Sequence, residues 1–222
     1  MTYEIPVIRN ANPKPRPDES ALGFAKYFTD HMFVAEYDEG KGWHSWRVEP
    51  YAPFLIDPAS TVLHYAQMMF EGMKAYRKPD GSIQLFRPDM NIARMKNTCE
   101  RMCMPEIPDD LFMAGLTAVI KADKDWVPSG KNTSMYIRPF MFADEISMSV
   151  LPAKHYKFMI ILSPTGPYYA ANKDALTTAR IYVQDKYIRA ARGGTGYAKV
   201  GGNYGGAMRA SLDAAKFNCK DV

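Results

Sequence analysis

The chain has 222 residues, enough for one large domain or two small ones. Its 47% apolar and 23% charged residues describe an ordinary soluble globular protein, and a scattered net charge of +4 gives no argument for nucleic acid as a partner. Three cysteines argue against a disulfide framework and for a reducing compartment. The first ten residues hold no apolar core of a signal peptide, and the longest apolar run, Phe158 to Leu162, is far too short to span a bilayer. The expectation is a cytoplasmic protein without a membrane partner.

Pro13, Pro15 and Pro17 make residues 10–20 an extended lead-in. Lys26 to Tyr37 alternates loosely and is rich in aromatic and β-branched residues, which predicts a strand. His31 inside it reads as a hydrogen-bonded, partly buried histidine rather than a catalytic one. Trp43 and Trp46 lie at a hairpin-like Gly40-Lys41-Gly42 turn. Leu63, Ala66, Met69 and Phe70 are spaced as a short helix from Ser60 to Phe70, with Ser60 or Asp57 as its cap. Gly72 ends that helix. Met73 to Tyr76 and Ile83 to Phe86 then form a hairpin across Pro79-Asp80-Gly81.

Pro88 opens a helix through Met104 with Ile92, Met95 and Cys99 on one stripe. Cys99 and Cys103 share its face, but no further Cys or His follows at a metal-binding spacing, so both read as core or half-exposed thiols. Leu111 to Trp126 is a second helix. Ser134 to Asp144 and Tyr156 to Ser163 are strands, and the near-continuous apolar character of the latter predicts a central position. Tyr136 and Arg138, two apart on a strand, point to one face, where a guanidinium and a phenol would suit a carboxylate. Arg180 to Gln184 reads as another strand. Asn203 to Asn218 reads as a helix with Ala207, Met208, Leu212, Ala215 and Phe217 turned inward.

Lys199 stands between two glycine-rich stretches, Arg192-Gly193-Gly194-Thr195-Gly196 and Gly201-Gly202-Asn203-Tyr204-Gly205-Gly206. A phosphate loop needs Gly before the lysine and Ser or Thr after it, whereas Ala198 and Val200 occupy those places. The dinucleotide fingerprint fails as well, because Lys199 stands where its last Gly or Ala belongs. A surface charge, a phosphate ligand and an imine-forming nucleophile remain open. Small and apolar neighbours suit the last, since desolvation disfavours the ammonium form.

Ala198-Lys199-Val200-Gly201-Gly202-Asn203-Tyr204-Gly205 resembles the cofactor-lysine segment of branched-chain-amino-acid aminotransferases, pyridoxal-phosphate enzymes of fold type IV. In order along the chain, six further stretches agree with the family. They are Phe28-Thr29-Asp30-His31-Met32, Leu63-His64-Tyr65-Ala66 and Phe70-Glu71-Gly72-Met73-Lys74-Ala75-Tyr76, then Leu85-Phe86-Arg87-Pro88 with Asn91 and Arg94-Met95, Tyr136-Ile137-Arg138-Pro139, and Ser163-Pro164-x-Gly166-Pro167-Tyr168. The resemblance implies an α/β (α+β) fold with a small domain over residues 1–165, a linker over 166–174, and the start of a larger cofactor domain over 175–222. That second domain would hold too few residues to bury a stable core unaided. Family members continue beyond it, and the partner of the pyridine nitrogen is expected there.

The resemblance also implies pyridoxal 5'-phosphate as cofactor. Lys199 would be the catalytic lysine, Arg94 the phosphate ligand and Tyr204 the neighbour of the ring's phenolic oxygen. Tyr136 and Arg138 would hold the substrate, and Phe24, Tyr65, Phe70 and Tyr168 would wall its side chain. Relatives contribute the equivalent of Tyr65 across a dimer interface, so a homodimer is expected. The implied reaction is amino transfer between leucine, isoleucine or valine and 2-oxoglutarate. Rivals are D-amino-acid aminotransferase or aminodeoxychorismate lyase on the same fold, or a catalytically silent binding module.

Overall fold

The apolar run from Tyr156 to Leu162 lies in the middle of the fold. In the computed structural model, which describes residues 3–167 and 178–222, it belongs to β7 (His155–Thr165). The other strands are β1 (His31–Asp38), β2 (Gly42–Pro50), β3 (Met68–Phe70), β4 (Met73–Arg77), β5 (Ile83–Leu85) and β6 (Ser134–Ala143). The helices are α1 (Thr61–Tyr65), α2 (Pro88–Met102), α3 (Asp109–Ala122) and α4 (Gly201–Lys216). The sheet runs β2-β1-β7-β6-β4-β5, with β3 also paired to β6. Every pairing between these strands is antiparallel, so the architecture is α+β.

Alternation along the strands sorts the two faces of the sheet. Phe33, Ala35, Ile137, Met141, Phe158, Ile160 and Leu162 face one way and pack with Ile92, Met95 and Cys99 of α2 and Leu111, Phe112 and Leu116 of α3. The aromatic rings at its centre interlock, with Phe112 and Phe33 standing 5.7 and 6.1 Å from Phe158. Gly115 of α3 makes room for this packing, since a Cβ there would lie 2.6 Å from the Phe33 ring. The opposite face carries a smaller cluster of Met32, Val34, Phe142 and Met159. Tyr136, Arg138 and Phe140, in step with Phe142 on β6, share that face.

The first strand begins at His31, later than the pattern from Lys26 predicts, because the residues at its edge are used to dock the lead-in. The Asp30 carboxylate accepts from Lys14 N and Trp126 Nε1. His31 Nε2 accepts from Asn10 N, so its Nδ1–H donates to Asp123 at 2.6 Å. His31 is thus the buried, satisfied histidine that the sequence suggests.

The segment after Ser60 also differs from expectation. The helix stops at Tyr65, where Ala66 turns left-handed (φ 51°), and Met68–Phe70 pairs with β6 as a strand. Arg180–Gln184 forms no strand; it contributes a single parallel bridge from Ile181 to Asp221. In α4 the buried residues are Asn203, Ala210 and Ala214, whereas Met208, Leu212, Ala215 and Phe217 are exposed. Helical periodicity identifies two stripes, and the small-residue stripe is the one facing the sheet.

Candidate functional site

The site is assembled around four consecutive residues, Met69–Gly72, at a break in the edge of the sheet. Opposite them on β6 stands Pro139, which accepts from Glu71 N at 2.7 Å but has no N–H to return. The ladder is interrupted there, β3 ends at Phe70 and β4 resumes at Met73. Met69 stays in the core and bridges Val200, while Phe70 N donates to Lys199 O at 3.1 Å. The lysine segment is therefore stitched to the exposed edge of β3.

Phe70 has two cations close to its ring. Arg138 Cζ lies 4.4 Å and Lys199 Nζ 4.6 Å from its ring centroid, and the Tyr204 ring lies 4.9 Å away. Lys199 Nζ donates to Tyr204 Oη at 2.8 Å. Among the described residues no carboxylate pairs with this amine, so its partners are a hydroxyl and aromatic faces.

Polar clamps fix the loop on either side of Lys199. Thr98 Oγ1 accepts from Lys199 N at 3.0 Å and donates to Arg94 O at 3.1 Å. Buried Asn203, in the first turn of α4, donates to Thr195 O and Ala198 O and accepts from Thr195 Oγ1, each at 2.8 Å. Five residues on, the helix thus holds the turn that precedes it.

Arg94, on α2, donates from Nε and Nη2 to the two oxygens of Glu71, both at 2.7 Å. That carboxylate holds the guanidinium's pKa above its ordinary value. Arg138 donates to Tyr136 Oη at 2.8 Å and has no carboxylate partner among the described residues. Phe24 stands edge-on to Tyr136 at 5.1 Å. Gly72 is required here, because a Cβ would come within 2.5 Å of Tyr136 Oη. Opposite Tyr136 on β7, Ser163 keeps a buried Oγ without a hydrogen-bond partner among the described residues, leaving this face with spare polar capacity.

A cavity of about 890 Å³ is lined by Arg94, Lys199 and Tyr204 together with Arg189, Tyr197 and Met208. Its size suits a cofactor-sized ligand. Phe70, Tyr136, Arg138 and Phe24 lie beyond its lining and join it through Lys199 and Tyr204. Tyr65 is elsewhere, at the end of α1, where its hydroxyl donates to Met148 O. Tyr168 lies outside the described residues. The sequence points to no place in the site for Glu71, Thr98 or Asn203, and Gly72 reads there only as the end of a helix. A charge set within an apolar stretch at Glu71 was the available signal.

No family model matches the chain. Branched-chain-amino-acid transaminase 1 of Bacillus subtilis is 52% identical over 209 residues, covering 94% of this chain and 58% of that protein. Among solved structures, the branched-chain amino acid aminotransferase from Escherichia coli superposes with a TM-score of 0.62 at 21% identity, over 87% of this chain and 57% of that one. The enzyme from Thermobaculum terrenum in its PLP-form gives 0.60 at 16% identity, over 86% and 57%. The chain spans about three fifths of the length of these relatives. Over its own length it is homologous to branched-chain-amino-acid aminotransferases, and its fold is that of the fold type IV enzymes over the part it spans.

Proposed function

We propose that this chain supplies the lysine-bearing part of a pyridoxal 5'-phosphate-dependent branched-chain aminotransferase. Its reaction would move an amino group between leucine, isoleucine or valine and 2-oxoglutarate, giving branched-chain 2-oxo acids and glutamate. One observation carries the reading: the Lys199 amine, the Tyr204 hydroxyl and the Arg94 guanidinium line a single cavity, with the amine free of any described carboxylate. The donor set fits the cofactor. It offers an amine for an aldehyde, a phenol for a ring oxygen and a fixed cation for a phosphate.

When bound, pyridoxal phosphate provides an electron sink for the bond broken at the substrate's Cα. Lys199, held by Thr98 and by its own backbone bond to Phe70, would be the group to take that proton and return it to the carbon on the far side of the intervening nitrogen. Tyr204 orients the amine through its 2.8 Å contact. Arg138 and Tyr136 present paired donors to a carboxylate, and Arg138, without a carboxylate partner among the described residues, is the better suited to glutamate's second one. Phe70 and Phe24 exclude water beside them and favour an apolar side chain, each buried methylene contributing about 0.8 kcal/mol.

In this reading residues 1–165 form the small domain, 166–174 the linker and 175–222 the beginning of the cofactor domain. Tyr65 and Tyr168 belong to the substrate wall, Tyr65 across a homodimer interface. The test is an assay of the full-length protein with leucine, isoleucine, valine, D-alanine and aminodeoxychorismate. Glutamate formation from the three branched L-amino acids and 2-oxoglutarate is expected. Preference for D-alanine or for lyase turnover would contradict the reading.

A further inference from the structure

We infer that Glu71 is a positioning residue for phosphate at Arg94, an assignment that rests on the pyridoxal-phosphate reading above. Glu71 is fully buried, and both its oxygens are committed. Oε1 accepts from Arg94 Nε at 2.7 Å. Oε2 accepts from Arg94 Nη2 and Asn91 Nδ2, each at 2.7 Å, and from Gly72 N at 3.3 Å. Among the described arginine–carboxylate pairs, this is the one whose carboxylate is wholly removed from water; its arginine is half exposed. A buried carboxylate is strongly unfavourable without a cation, so the pairing with Arg94 is enforced rather than incidental.

The geometry of the pair decides what remains of Arg94. A guanidinium is planar, and gripping it along the Nε–Nη2 edge fixes the directions of all its other N–H groups. Nη1 and the outer hydrogen of Nη2 are left to face away from Glu71, and Arg94 lines the cavity that Lys199 also lines. The rotamer freedom that a phosphate would otherwise have to remove is already gone. The pair is also neutral as a unit. An incoming dianion therefore meets directed N–H donors here, while the further cations on the cavity lining are Arg189 and Lys199. Glu71 occupies its place because the ladder breaks opposite Pro139, so the same break that exposes Phe70 to Lys199 buries the grip on Arg94.

Dissociation constants for pyridoxal phosphate and for pyridoxal, which lacks the phosphate, test this on the full-length protein. The constant for pyridoxal divided by that for pyridoxal phosphate measures the phosphate's share of affinity. Glu71→Gln keeps the shape but loses one acceptor and the charge, and should lower that ratio on the order of 10- to 100-fold, the loss typical when a ligand's orienting partner is removed. Affinity for pyridoxal should change little. Equal weakening of both compounds would indicate a merely structural role and overturn the inference. So would an unchanged ratio in Glu71→Gln while Arg94→Met lowers it. A wild-type ratio near one would instead overturn the cofactor reading, and the inference with it. Should Glu71→Gln not fold, the wild-type protein still decides. The Arg94 Nε–H resonance should exchange slowly before any phosphate is added, and protection appearing only with pyridoxal phosphate would contradict prior positioning.

Discussion

The body of the sheet and the segment bearing Lys199 are held together by different physics. Between β1, β6, β7 and helices α2 and α3, the contacts are interlocking apolar side chains such as Phe33, Phe112 and Phe158, all completely buried. Around Lys199 few of the described apolar residues are buried, chiefly Ala198, Val200, Ala210 and Ala214. Its register there comes from hydrogen bonds made by Asn203, Thr98 and the edge of β3. Apolar packing is strong but non-directional, whereas a hydrogen bond specifies an orientation. The body supplies stability, and the clamps supply the position of one amine.

The largest effect that would sharpen this contrast lies in the body. Phe112→Ala should cost about 3–5 kcal/mol in urea unfolding, from lost burial and the cavity left beside Phe158. A cost under about 1 kcal/mol would mean that the interlocked rings are not where stability resides. Next comes the face shared by both regions. Arg138→Met keeps much of the stem volume and removes the charge, and should reduce kcat/KM for glutamate by about 2–4 kcal/mol while the leucine half-reaction loses much less. Equal losses in both half-reactions would place Arg138 at a carboxylate common to the two substrates.

On the clamp side, Asn203→Ala removes three bonds at once and should loosen the Lys199 loop by about 1–3 kcal/mol. Hydrogen exchange should show the Ala198 amide, which donates to Thr195 O, opening faster, with amides of β6 and β7 unmoved. Acceleration spread evenly over both would erase the distinction. The smallest effect concerns Asp38, at the far end of β1. A hydrogen bond from His155 holds its carboxyl below the usual range. A depressed carboxyl stabilises the folded state above its unfolded pKa, and this contribution fades as pH falls through the lowered value. Asp38→Asn should therefore lower Tm slightly at neutral pH and not at all in strong acid.

How far the sequence foretold these two regions differs in the same way. The helix opened by Pro88, the stripe of Ile92, Met95 and Cys99, and the central place of β7 follow from periodicity that a single chain displays. Burial even agrees in detail with the thiol reading, since Cys99 is pushed up to about 12 by desolvation and Cys103 is exposed. The break at Glu71 was not legible, because it depends on Pro139 lying opposite, nearly seventy positions away, and no local pattern encodes that pairing. The burial of α4 was misread for a related reason. Periodicity assigns residues to a stripe, but only the neighbouring layer decides which stripe is covered. Lys199 stands out by its glycine-rich flanks, Tyr204 and Arg94 only through the family resemblance, and the structure brings all three to one cavity. Tyr65 is not among them within a single chain.

The central claim is that Lys199 is the lysine bound to the cofactor, and one measurement addresses it directly. The purified protein, incubated with pyridoxal phosphate, is reduced with borohydride, digested and mapped by mass. The account predicts a pyridoxyl group on the peptide containing Lys199, whose amine has Tyr204 and the Phe70 ring as its described partners. Finding the group on the peptide of Lys74 or Lys186 instead, with Lys199 unmodified, would contradict it.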